Sequence, residues 1–159
     1  MARSNFYTVV DYLKKLLSAD KFVNTVVIGR TNERDLYKKS IYPLAHIIPV
    51  TSPWINSNVS AFTFQIGILE QRDIPNKKKD TKFEGDDNMI DNLNTTYAVL
   101  NQLLSYLSNQ NNEHYIELDS VGGIQPFLFT DHALLDGFYV TLTLIIRNDS
   151  VCYDYDLGE

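Results

Sequence analysis

The chain is short of the residues that would cross-link it, embed it or arm it. Its 159 residues hold one cysteine, Cys152. That excludes an internal disulfide and suggests a reducing compartment during folding. Cys152 also lies in an acidic stretch, where nearby carboxylates disfavour a reactive thiolate. The longest apolar stretches, such as residues 142–146, fall far short of the ~20 residues of a membrane helix. The opening MARSNFY lacks the apolar segment of a signal peptide. Positive charge is in the minority, 14 Lys and Arg against 20 Asp and Glu, for a net −6. This argues against general binding to nucleic acid or anionic membrane.

Catalytic signatures are missing as well. There is no G-x-x-x-x-G-K-S/T, no G-x-G-x-x-G and no G-x-S-x-G. His46, His114 and His132 sit in three separate segments, none with a partner at metal-ligand spacing. His46, inside an apolar run, reads as a hydrogen-bonded core histidine. His132 follows Asp131 and reads as a turn residue, because no nucleophile is placed for it to serve as general base. The expectation is a non-enzymatic protein with no cofactor and no metal.

What is present is a good core pattern. A chain of this length suits one domain spanning residues 1–159 and buries roughly 68–70% of its unfolded surface. Residues 5–19 predict an amphipathic helix, with Phe6, Val9, Val10, Leu13, Leu16 and Leu17 on one face and Ser4 or Asn5 at its start. Residues 25–28 are β-branched and end at Gly29, which predicts a short strand. Residues 31–40 read as a polar loop with a helical turn. Residues 44–48, between Pro43 and Pro49, predict a short or edge strand. Residues 59–70 predict a long strand with Phe62, Phe64, Ile66 and Ile68 on one face. Gly67 within it marks a bulge or a close backbone approach. Residues 91–108 predict a second helix, capped by Asp91 or a neighbour, with a stripe of Leu93, Tyr97, Leu100, Leu104 and Leu107. Residues 115–118 and 124–130 predict strands around a 121–123 turn, the second an edge because of Pro126. Residues 131–137 read as a loop. The final strand puts Phe138, Val140, Leu142, Leu144 and Ile146 on one face, before an acidic tail over 148–159. The fold class expected is α+β: an antiparallel-dominated sheet, two amphipathic helices packed on one face, and a long protruding loop or hairpin.

That loop, residues 72–90, is too long for a simple connection. It carries Lys77, Lys78, Lys79 and Lys82, then Glu84, Asp86 and Asp87. The lysines read as a solvated tip, a subunit salt bridge or a DNA contact. The acids read as helix-capping groups or as ligands of a hard cation, although they do not match the calcium-loop pattern. Trp54, in a proline-flanked stretch, reads as a partly buried packing residue or as an interface anchor. These eight residues are the candidates for contact with another subunit.

Several phrases together resemble a known family. They are FVNTVVIG at 22–29, DLYKKSIYPLAHII at 35–48, GDDN at 85–88, LNT at 93–95, AVLN at 98–101, LDGF at 135–138 and RND at 147–149. The chain resembles small neck and tail ring proteins of tailed bacteriophages, of the tail-completion or tail-terminator type, with the closest likeness to those of crAss-like phages. The resemblance implies a structural virion protein with no active site. It implies a ring of copies, twelve favoured and six possible, between portal-side and tail-side virion proteins. DNA would pass through its channel without specific binding, and no membrane would be involved. Residues 72–88 would then be an arm reaching the neighbouring copy, its basic half meeting the neighbour's acidic half. Assembly would take place in the host cytoplasm and the product would reside in the virion. One rival reading is a non-enzymatic cytosolic domain that binds a small ligand or a peptide, and a third is an enzyme whose site residues are dispersed along the chain.

Overall fold

Two stretches of alternating apolar residues, 59–71 and 135–147, set the architecture. In the computed structural model, which describes residues 5–29, 41–73, 88–109, 115–129 and 134–148, they form the long central pair of a seven-stranded sheet. The chain runs α1 (Asn5–Ala19), β1 (Thr25–Ile28), β2 (Leu44–Thr51), β3 (Trp54–Asn56), β4 (Val59–Gln71), α2 (Met89–Ser108), β5 (Ile116–Val121), β6 (Gln125–Phe129) and β7 (Leu135–Arg147). The spatial order is β1-β2-β4-β7-β5, with β3 also paired to β4 and β6 to β7. All pairings are antiparallel except β1 with β2. The fold is therefore α+β, as the order of segments predicts.

β2 and β3 lie along one edge of β4, interrupted at Ser52 and Pro53. β5 and β6 lie along the far edge of β7, interrupted at residues 122–124. Both helices cover the same face. Val9, Leu13 and Leu17 of α1 and Val99, Leu100, Leu103 and Leu107 of α2 share one buried cluster with Phe64, Ile66 and Ile68 of β4 and Val140, Leu142 and Leu144 of β7. Phe6 caps this cluster, its ring 5.5 Å from that of Phe62 and 6.1 Å from that of Phe64. Among the described residues no helix packs on the opposite face. A small cluster of Leu44, Leu69 and Leu135 is buried there beside Val27, Tyr42 and Phe127. Further along it the Thr63 and Thr143 hydroxyls meet at 2.9 Å across the central pair.

Several boundaries and faces differ from the expectation. β2 is eight residues long and lies between β1 and β4, not at an edge. Pro49 is tolerated in it because β1 pairs only as far as Ile47, so no neighbour on that side needs the missing N–H. β7 begins at Leu135, so Asp136 and Gly137 belong to the strand and not to a loop. β5 runs through Val121, and Tyr115, with φ 52°, precedes it. α2 begins at Met89, and its first-turn neighbour Asn88 makes no side-chain capping bond. Its buried face is Asn92, Thr96, Val99, Leu100, Leu103 and Leu107, while Tyr97 is 46% exposed. The face is turned because two polar side chains are satisfied inside: Thr96 Oγ1 donates to Asn92 O at 2.7 Å, and Asn92 Nδ2 donates to Gln71 O at 3.1 Å. Gly67 marks neither a bulge nor a close approach. The β4–β7 register is unbroken there, and a Cβ would meet its nearest atom at 3.8 Å.

Candidate functional site

Three features stand out on this scaffold. The first is the mount of residues 74–87. β4 ends at Gln71, and Arg72 turns back over the start of β7. Its backbone N–H donates to Leu134 O at 2.8 Å. Its guanidinium donates through Nε to Asp136 Oδ2 at 2.8 Å and through Nη2 to Asp136 Oδ1. Asp136 is fully buried, so the pair is the fork-to-fork kind that a buried carboxylate requires. Across the gap, Asn88 Oδ1 accepts from the Asp73 backbone N–H at 2.7 Å, and Asn88 Nδ2 donates to Gln71 O at 3.4 Å. Asn92 donates to that same carbonyl. The two ends of the 74–87 stretch are thus tied side by side to the sheet. Glu70 lies beside this mount. Partial burial raises its carboxyl above the ordinary value, and the Asp73 charge adds to this. The bond from the Gln71 N–H opposes both.

The second feature is the β3–β4 hairpin. Ser57 and Asn58 form its turn, with Asn58 N–H donating to Asn56 Oδ1 at 2.8 Å. All three β3 residues are exposed. Trp54 is 84% exposed, which corrects the partly buried alternative, and Val50 and Ile55, near it in the chain, are exposed too. The hairpin is fixed rather than loose. Asn148 Nδ2 donates to Ser57 O at 2.9 Å, its N–H donates to Asn58 O at 2.8 Å, and its Oδ1 accepts from Ser60 Oγ at 2.6 Å and from Asn5 Nδ2.

The third feature is a hollow of about 220 Å3 in the sheet face away from the helices. Register creates it: His46, Gly67 and Tyr139 lie opposite one another on β2, β4 and β7. Gly67 leaves the floor empty, and Ile48, Gln65, Leu69 and Phe127 complete the wall. His46 is 2% exposed and its Nε2 lies 2.8 Å from Gly29 O, as expected of a hydrogen-bonded interior histidine. Tyr139 OH donates to Gln125 Oε1 at 2.7 Å. A smaller hollow of about 190 Å3 separates Leu16 and Ala19 of α1 from Val99, Gln102 and Tyr106 of α2.

Of the sequence candidates, Trp54 is the one the structure describes. Lys77, Lys78, Lys79, Lys82, Glu84, Asp86 and Asp87 lie outside the described residues, as do His114, His132 and Cys152. Among the described residues no three His, Cys, Asp or Glu side chains converge as a metal site. No helix there is long and apolar enough to cross a membrane. The hollow and the asparagine ties escaped sequence reasoning. Their residues come from strands far apart in the chain, and only Gly67 gave a local sign. The sequence matches no protein-family model, and no curated protein is significantly similar to it.

Proposed function

We propose that this chain is a structural virion component, one subunit of a ring in the neck or tail of a tailed bacteriophage. The ring joins portal-side to tail-side proteins around the DNA channel and performs no chemistry of its own. The observation that carries the reading is the mount at Arg72, Asp73, Asn88 and Asn92. It ties both ends of a 14-residue stretch, 74–87, to the sheet. The composition of that stretch, four lysines with Asp80 among them and then Glu84, Asp86 and Asp87, suits contact with an identical neighbour in a head-to-tail arrangement, which closes into a ring when the rotation allows. The net charge of −6 suits a conduit that DNA must slide through without being gripped.

The hollow at Gly67 favours a second reading, a ligand- or peptide-binding domain. It is the weaker one, because among the described residues no Asp, Glu, Lys or Arg lines the hollow to orient a polar ligand.

An antibody against the chain should label the head–tail junction of purified virions. Absence of the protein from virions, or tight salt-sensitive binding to duplex DNA at low ionic strength, would overturn the reading. Changing Lys77, Lys78 and Lys79 to Glu together should lower assembly, and an unaltered ring would remove the arm from it.

A further inference from the structure

We infer that Trp54 of one copy seats in the Gly67 hollow of the next, a knob and hole joining identical subunits head to tail. The inference rests on the ring reading, which requires a contact between two different surfaces of the same chain.

The knob and the hole cannot meet within one subunit. Trp54 pairs with Ser60 on β4, and the hollow is centred seven residues further along that strand, roughly 24 Å away at the antiparallel rise. They sit toward opposite ends of one rigid strand. Unreciprocated, a contact between them repeats from copy to copy until the ring closes, whereas a reciprocal one stops at two copies, which the mass of the assembly distinguishes.

Size and chemistry agree. A dry cavity of about 150 Å3 lined by Leu, Ile and Phe accepts benzene. The present hollow, about 220 Å3 and walled by Ile48, Leu69 and Phe127, has room for the larger indole. An indole carries one polar group, an N–H donor. Gln65 lines the hollow, and no hydrogen bond among the described residues engages its amide, so its oxygen is available as acceptor.

Electrostatics allow the contact. Residues 40–69 hold no Lys, Arg, Asp or Glu. That run supplies the whole hairpin tip and most of the hollow, so among the described residues neither the indole nor the lining of the hollow brings a formal charge to be stripped of water. Area sets the scale. One aromatic side chain buries about 150–250 Å2, a fraction of the roughly 1,200–2,000 Å2 of a standard interface. The tryptophan is therefore the anchor of a larger contact.

The protein contains a single tryptophan, so its fluorescence reports this residue alone. As concentration rises, the emission of the wild type should shift to the blue and resist acrylamide quenching, in step with the mass measured by light scattering. Trp54→Ala should weaken association by at least about thirtyfold, the loss expected of a hot-spot residue. Gly67→Leu should do the same by filling the hole. Its floor has ordinary clearance, and a melting curve checks that it folds. Mixing the two variants should give a pair that stops at two copies, with the tryptophan of Gly67→Leu shielded by the intact hole of Trp54→Ala. Added NaCl should leave this contact unchanged while it weakens a charged one. Assembly with a fully quenchable tryptophan, or Trp54→Ala assembling as the wild type does, overturns the knob while the ring reading stands. A wild type that stays monomeric to its solubility limit overturns the self-contact. Virion labelling then decides the ring reading separately.

Discussion

The Arg72 guanidinium holds the Asp136 carboxylate by two parallel hydrogen bonds, joining the residue just past β4 to the second residue of β7. Asp136 has no exposed surface. Removing its partner strands a buried charge, a loss of about 3–5 kcal/mol. Arg72→Ala should therefore lower the urea midpoint sharply. Replacing both residues with apolar ones of similar size, Arg72→Met with Asp136→Leu, should recover most of that loss. A double variant as unstable as the single one would contradict the account.

Gly137 meets β4 more closely than any side chain permits. A Cβ there would stand 1.9 Å from the Ile68 carbonyl oxygen, which is backbone and cannot rotate away. Gly137→Ala should cost at least about 3 kcal/mol, the upper part of the overpacking range, through displacement of β4 from β7. Gly123→Ala, where a Cβ meets nothing within 4 Å, is the control and should leave the melting temperature nearly unchanged.

Leu100 is fully buried against the sheet. Leu100→Ala should cost about 2–5 kcal/mol. Tyr97, half exposed, touches the core side through an edge-on contact with Phe138, ring centres 5.5 Å apart. Removing an aromatic pair of that kind forfeits about 0.5–1.5 kcal/mol beyond the area lost, so Tyr97→Ala should be the milder change. Equal losses in a denaturant titration would mean that the helix presents a different face.

Glu70 supplies a pH test. Its carboxyl is raised above 4.5, chiefly by burial, so the folded chain binds this proton more tightly than the unfolded one. The linkage sign follows: stability falls as pH rises through the window from 4.5 to the raised value, and the penalty is complete above it. Glu70→Gln should raise the melting temperature at neutral pH. The gain should disappear below pH 4.5, where both forms are neutral. A gain that persists in acid would point to a cause other than ionisation.

Period explains what could be read from the sequence. Phe62, Phe64, Ile66 and Ile68 alternate with Thr63 and Gln65, and Val140, Leu142 and Leu144 with Thr141 and Thr143, so the two long strands and their buried face were plain. α1 was plain for the same reason at helical spacing. The face of α2 was not, because Asn92 and Thr96 are buried on the strength of hydrogen bonds that hydropathy does not register. The parallel pairing of β1 with β2 was hidden too, since a four-residue strand does not state its partner. At the candidate site, Trp54 was visible as a residue type but its exposure was not. The hollow depends on three strands coming into register and has no contiguous signature.

The thirteen-pair ladder between β4 and β7 has a mechanical consequence. The chain leaves β4 at Arg72 and leaves β7 at Asn148, and these exits lie at opposite ends of the antiparallel pair. A pull applied between them slides one strand along the other, so all the rungs bear load together. A pull between Arg72 and Leu134, which sit at the same end, peels the rungs off one after another. Stretched in a force spectrometer by handles in 74–87 and after Asn148, the domain should yield at a far higher force than when gripped at the shared end. A domain held at those two exits would resist load in its stiffest direction.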